Sequence, residues 1–148
     1  MINLDINLNS GIFLMNSTEI NLCNKTDISK NSIISKMKFY AENSRYSFDG
    51  TYADNIFKFN IFYDGNGELK LFNGIWIEGR TYSKGWEGFD EKLMINDFNK
   101  LKVSFVDFLD KEPEEIDQFF VKFLYYWGSI QLNCIRRDNL VGVTFFIN

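Results

Sequence analysis

The stretch from Ile56 to Ile77 narrows the folds open to this chain more than any other. Between Ile56 and Tyr63, the residues Phe57, Phe59, Ile61 and Tyr63 alternate with Ile56, Lys58, Asn60 and Phe62. Side chains two apart share a face of a pleated strand, so the spacing predicts a half-buried strand. Asp64-Gly65-Asn66-Gly67 follows, a turn sequence whose Asn and Gly tolerate positive φ. The partner run Leu69 to Ile77 is expected to place Leu69, Leu71, Ile75 and Ile77 on one face. An antiparallel hairpin at the centre of the chain is the prediction.

The flanking segments extend that pattern. Ile2, Leu4, Ile6 and Leu8 alternate with polar residues up to Asn9-Ser10-Gly11, and Ile12 to Met15 is expected to return beside them. Thr26, Asp27 or Ser29 can cap a helix, and Ile33, Ile34, Met37 and Tyr40 follow at helical spacing, which predicts a first helix over about 29–40. Tyr46, Phe48 and Tyr52 then alternate up to an Ala53-Asp54-Asn55 turn. The glycines among Arg80, Tyr82, Lys84 and Trp86 suit a long surface loop or a bulged extension over 79–88.

The second half opens with the clearest amphipathic helix, about 92–110. Met94, Phe98, Leu101, Phe105 and Phe108 lie opposite Asp97, Lys100, Ser104, Asp107 and Lys111. Pro113 stops or redirects it. The run after Pro113 fits a helix stripe and a strand face alike. Its aromatic and β-branched content favours one helical turn at 113–117 and then a strand over 119–127. Ile130, Leu132 and Cys134, then Val141, Val143, Phe145 and Ile147, alternate on either side of an Asp138-Asn139 turn.

These elements predict a single α+β domain over 1–148, within the size of one ordinary domain. It would have an antiparallel sheet built from two helix-strand-strand-strand units, 26–78 and 90–148, plus an N-terminal hairpin, with the helices on one face. The same order also fits one irregular sheet whose halves are unrelated.

Composition limits the chemistry. The chain has no His, which removes the imidazole that Ser-His-Asp and Cys-His catalysis require. Cys23 and Cys134 are far apart, do not make a zinc site, and read as reduced small apolar residues. Asp64, Asn66 and Glu68 imitate the opening of a calcium loop, but Leu69 replaces its glycine and Ile75 its bidentate acid. Gly65-Asn66-Gly67 lies between strands rather than opening a helix, so it does not cradle phosphate. No metal or cofactor is expected. Carboxylates are the only plentiful acids and bases, for instance Glu87, Asp90 and Glu91 beside Trp86, where a solvated loop and helix cap is the simpler reading. A net charge of −4 opposes general binding of nucleic acid or anionic membrane. Neither a cationic leader nor a long apolar run opens the chain, so the cytoplasm is the expected location.

Charge is concentrated in one place. Asp107, Asp110, Glu112, Glu114, Glu115 and Asp117 stand against Lys111 alone, −5 within an elbow that follows the long helix. A solvated helix end explains such a run, and so does a docking surface for a cationic protein. In the docking reading, apolar anchors would come from Tyr82, Trp86, Tyr125, Tyr126 and Trp127, with Trp86 and Tyr126 the chosen candidates beside the six acids.

The helix, the phrase Phe62-Tyr63-Asp64-Gly65-Asn66-Gly67-Glu68-Leu69 and the passage Tyr126-Trp127-Gly128-Ser129-Ile130 resemble small bacterial proteins with tandem αβ units. These include secreted inhibitors such as β-lactamase inhibitory protein, and the immunity proteins of polymorphic toxin and contact-dependent growth inhibition systems. The secreted members need a signal peptide and disulfides, a point of departure here, whereas the immunity version suits the cytoplasm. The resemblance implies a non-enzymatic inhibitor that neutralises a basic toxin domain, with a nuclease as the expected toxin. A small-ligand module with an aromatic-lined pocket, a carboxylate-only enzyme and a subunit that adds strands at a sheet edge are the alternatives.

Overall fold

The computed structural model describes residues 1–85, 87 and 89–148. Among these, eleven strands form one sheet, antiparallel except at a single pair. In chain order they are β1 (Ile2–Ile6), β2 (Phe13–Met15), β3 (Thr18–Ile20), β4 (Lys38–Tyr40), β5 (Arg45–Tyr52), β6 (Asn55–Tyr63), β7 (Leu69–Trp76), β8 (Glu115–Ile116), β9 (Phe120–Tyr125), β10 (Gly128–Ile135) and β11 (Leu140–Ile147). The helices are α1 (Lys25–Ser29), α2 (Arg80–Lys84) and α3 (Glu91–Leu109). Across the sheet the order is β3-β2-β1-β5-β6-β7-β11-β10-β9-β8, with β4 also on β5. The fold is α+β with a mainly antiparallel sheet.

The central hairpin forms with Phe57, Phe59, Ile61 and Tyr63 buried, as their alternation predicts. Its second strand turns the other way. Phe72 and Gly74 are buried, whereas Leu69, Leu71, Ile75 and Ile77 are only half-buried. A bulge is the reason: Tyr63 pairs with Leu69 but Phe62 pairs with Leu71, so Lys70 is the extra residue and every later side chain changes face. Gly74 is needed opposite Phe59, because a Cβ there would lie 2.7 Å from the ring.

The first half lacks the helix expected over 29–40. Asn24 caps α1 by accepting from the Thr26 amide at 2.8 Å, and Asn31 does the same for the Ile33 amide at 3.0 Å. Two side-chain caps seven residues apart break the segment into α1, a 3₁₀ turn at Ser32–Lys36 and β4. The first half therefore carries a five-residue helix, α1, before its strands, where the second half carries the 19-residue α3. The meanders β5-β6-β7 and β9-β10-β11 meet through their last strands, β7 on β11.

The long helix and the strand at 119–127 form as expected, the latter as β9. Three details differ. Pro113 to Asp117 is not a helical turn but carries β8, paired to β9. Phe108 is 42% exposed while Leu109 takes the inward position. Asp97, expected on the polar face, is 1% exposed; its Oδ2 accepts from the Thr81 amide at 2.7 Å and from the Thr81 hydroxyl at 2.5 Å. Those bonds tie α3 to α2, which occupies part of the loop expected over 79–88.

The sheet curls around its core. Phe13 on β2 lies 5.6 Å from Phe72 and 5.7 Å from Phe145, ring centre to ring centre. In a flat sheet β2 would stand four strands from β7, roughly 19 Å at about 4.8 Å per strand. The curl is held where Trp127 Nε1 donates to the Leu8 carbonyl at 2.9 Å and its ring covers Gly11. At Gly11 φ is +77°, and an added Cβ would fall 2.5 Å from the indole, so only glycine fits. Phe57 and Tyr52 meet Phe105 of α3 inside the curl.

Candidate functional site

The acidic elbow lies at an edge of the sheet, because β8 pairs with β9 alone. Asp110 ends α3 in the left-handed region at φ 55°, and Asp107, Asp110, Glu112, Glu115 and Asp117 are exposed. Among the described residues none of these five makes an ion pair. Glu115 stands directly opposite Lys122 across β8 and β9, yet the Lys122 ammonium lies over the Phe146 ring at 4.8 Å. Asp117 contributes to its own turn, accepting from the Phe119 amide at 3.2 Å.

Glu114 differs from the other acids. Its Oε1 meets Lys111 Nζ at 2.6 Å and its Oε2 accepts from the Leu124 amide at 2.8 Å. Lys111 also donates to the Leu124 carbonyl at 2.6 Å and sits 4.0 Å above the Tyr125 ring. Burial alone would raise the Glu114 pKa, but the hydrogen bonds from Lys111 and the backbone, with the lysine's charge, hold it below the ordinary 4.5. Glu114 and Lys111 therefore fasten the elbow to β9, and the other five acids are left to solvent.

The expected anchors separate into three groups. Tyr126 is 78% exposed at the β9–β10 turn, beside the elbow, and Tyr82 is exposed on α2. Trp127 is buried and Tyr125 stacks on it at 5.3 Å, so these two rings belong to the packing of the body. Trp86 lies outside the described residues. Ile116, 67% exposed on β8, is an apolar contact within the elbow that the sequence reading did not select.

The structure adds a groove that the sequence did not suggest. β1 and β5 pair in parallel at only two positions, Ile2 with Gly50 and Asn3 with Thr51. Beyond them β5 ends in a tight turn, where Ala53 and Asp54 both have positive φ (52° and 62°), and β1 runs on beside β2. The seam opens into a cavity of about 660 Å³ lined by Asp5, Tyr52, Asp54, Ile56, Glu78 and Phe108, among others. Its ionisable lining groups are acidic, apart from Tyr52, and no Lys or Arg lines it. Asp5 Oδ1 accepts from the Ile6 amide at 2.8 Å and Glu78 Oε1 from the Ile56 amide at 2.6 Å. Phe108 lies in the last turn of α3, so the groove reaches the negative end of the 19-residue helix, whose last turn holds no basic residue.

The other candidate sites resolve into local structure. Asp90 caps α3, accepting from the amides of Lys92 at 3.0 Å and Leu93 at 3.3 Å, and Glu91 pairs with Arg136 at 3.6 Å. Asp64 Oδ1 accepts from the amides of Asn66 and Glu68 at 2.8 and 3.0 Å, as a turn-forming Asp does. The inward aromatic face is filled, with Phe59, Phe72 and Phe145 in mutual contact. Among the described residues, no three His, Cys, Asp or Glu are grouped as a metal ion would need, and no helix is long and apolar enough to cross a membrane. Cys23 is free and exposed, and Cys134 is free and buried.

No protein-family model matches the chain, and comparison with curated proteins and with solved structures gives no match.

Proposed function

We propose that this chain is a non-enzymatic inhibitor which binds a basic protein domain through the acidic elbow, in the manner of an immunity protein neutralising its toxin. The observation that carries the reading is the set of five exposed carboxylates, Asp107, Asp110, Glu112, Glu115 and Asp117, none of which makes an ion pair among the described residues. Like charges held close repel one another in the free protein, and a cationic partner relieves that repulsion on contact. The exposed Ile116 and Tyr126 flank the acids and supply apolar surface to be desolvated at the centre of such an interface. A nuclease fits as the partner, since its substrate cleft is built to hold phosphates and a row of carboxylates can occupy it. The cytoplasm, where Cys23 and Cys134 would stay reduced, is the inferred setting.

Capture from an extract of the native host, with wild type and a Glu112→Lys, Glu115→Lys, Asp117→Lys variant as parallel baits, tests this reading. A basic protein, encoded beside this chain's gene, should be retained by wild type and lost from the variant. Its activity should also be blocked by wild type alone. Retention indifferent to the three reversals, or enrichment of acidic proteins only, would refute the elbow as the binding surface.

A further inference from the structure

We infer that the seam groove between β1 and the β5–β6 turn receives an arginine side chain of the basic partner, a deepening that rests on the inhibitor reading above. The groove offers what a guanidinium on an alkyl stem requires. Phe108 is 42% exposed and forms part of the wall, giving a ring face for the guanidinium plane and its stem. Asp5, Asp54 and Glu78 stand around it with no cation in the lining. Only Oδ1 of Asp5 and Oε1 of Glu78 are used by backbone amides, so their second oxygens and the Asp54 carboxylate are available as acceptors. A planar fork of five N–H donors can serve several such acceptors at once, which a lysine ammonium cannot do over the same spread.

A second observation at the same place points to a missing donor. Tyr52 lines the groove and is 2% exposed, yet among the described residues its hydroxyl has no hydrogen-bond partner. Burial first, and then the charges of Tyr125 and Asp5, push its ionisation upward, so the hydroxyl stays neutral and its oxygen is free to accept. Buried hydroxyls are rarely left unpaired. An arginine N–H entering from the groove would provide the partner.

The test follows amide chemical shifts of the intact ¹⁵N-labelled protein during titration with acetyl-Gly-Gly-Arg-Gly-Gly-amide, and with the same peptide carrying citrulline, which keeps the shape and loses the charge. The arginine peptide should shift Asp5, Thr51, Ala53 and Asp54 saturably, and the citrulline peptide should bind about tenfold or more weakly. Asp5→Asn with Asp54→Asn keeps a carbonyl oxygen at both positions and should abolish saturation. Phe108→Ala should weaken it, while Glu42→Gln, at an exposed position in neither the groove lining nor the elbow, should leave it unchanged. Saturable shifts confined to residues 110–117 would overturn the groove and leave the elbow standing. Equal binding of the two peptides, or no saturable shift anywhere, would overturn the groove as a cation site whatever host capture shows for the elbow.

Discussion

On the outward face of the sheet, the Arg45 guanidinium lies 4.2 Å from the centre of the Tyr40 ring and 5.7 Å from that of Phe62. Lys38 covers Tyr40 and Lys122 covers Phe146, each at 4.8 Å. Each of these cations has an aromatic neighbour within its own surface. At the elbow and the seam groove the arrangement is reversed: one lysine, Lys111, is fully engaged with Glu114 and Leu124, and among the described residues the surrounding carboxylates make no ion pair. Net charge alone, −4 over the whole chain, would not disclose this division. The outward aromatic face thus keeps its cations on neighbouring rings, whereas the elbow acids other than Glu114 and the groove acids make no ion pair among the described residues, which gives the two regions different capacities for a charged partner.

The largest effect on this comparison is expected at Phe13, whose ring lies against Phe72, Trp127 and Phe145 and so holds the β1–β3 arm, which carries the groove residue Asp5, against the body. Phe13→Ala should lower stability by about 3–5 kcal/mol in urea denaturation, with early loss of amide protection in β1 to β3. A loss under about 1 kcal/mol would mean the arm is held by something other than this ring.

Two aspartates of α3 sharpen it next. Asp97→Ala strands the buried Thr81 amide and hydroxyl and should cost about 1–3 kcal/mol. Asp107→Ala, at an exposed position with no ion pair, should change stability by no more than about 0.5 kcal/mol. Comparable losses for both would contradict the claim that the elbow acids are held apart from the fold's own stability.

Lys111→Ala should have a smaller effect, within about 1 kcal/mol near neutral pH, since the pair is partly exposed. The pH dependence carries the sharper reading. The folded Glu114 pKa lies below its ordinary 4.5, so the carboxylate stabilises the fold fully above that pH and ceases to do so as pH falls through the depressed value. The gap between wild type and Lys111→Ala should therefore close on acidification below 4.5. A gap independent of pH would assign Lys111's effect to its contacts with Leu124 and Tyr125 instead.

Much of the fold was readable from alternation, because most strands bury one face and side-chain period two is strict on a pleat. Tyr46, Phe48 and Tyr52, and then Val141, Val143 and Phe145, all point inward as spaced. What escaped has local causes. The Asn24 and Asn31 caps interrupt a plausible helix stripe, and one bulge residue, Lys70, reverses the face of β7. The elbow was visible because its six acids fall within the short run 107–117, although no pattern marked Glu114 as the one that is fastened down. The groove was not visible for the opposite reason. Asp5 reads as the polar side of a strand, Asp54 as a turn residue and Glu78 as the end of a hairpin; only the parallel pairing of β1 with β5 brings them together.

Paramagnetic relaxation of each amide by a cationic and by an anionic nitroxide probe, at low ionic strength, measures this division of charge without any partner. The account predicts that the cationic probe dominates at Asp54 and over 107–117, and loses that advantage across β5, β6, β9 and β11 on the outward face. A ratio of the two probes that is uniform over the surface, or highest on the outward face, would contradict it.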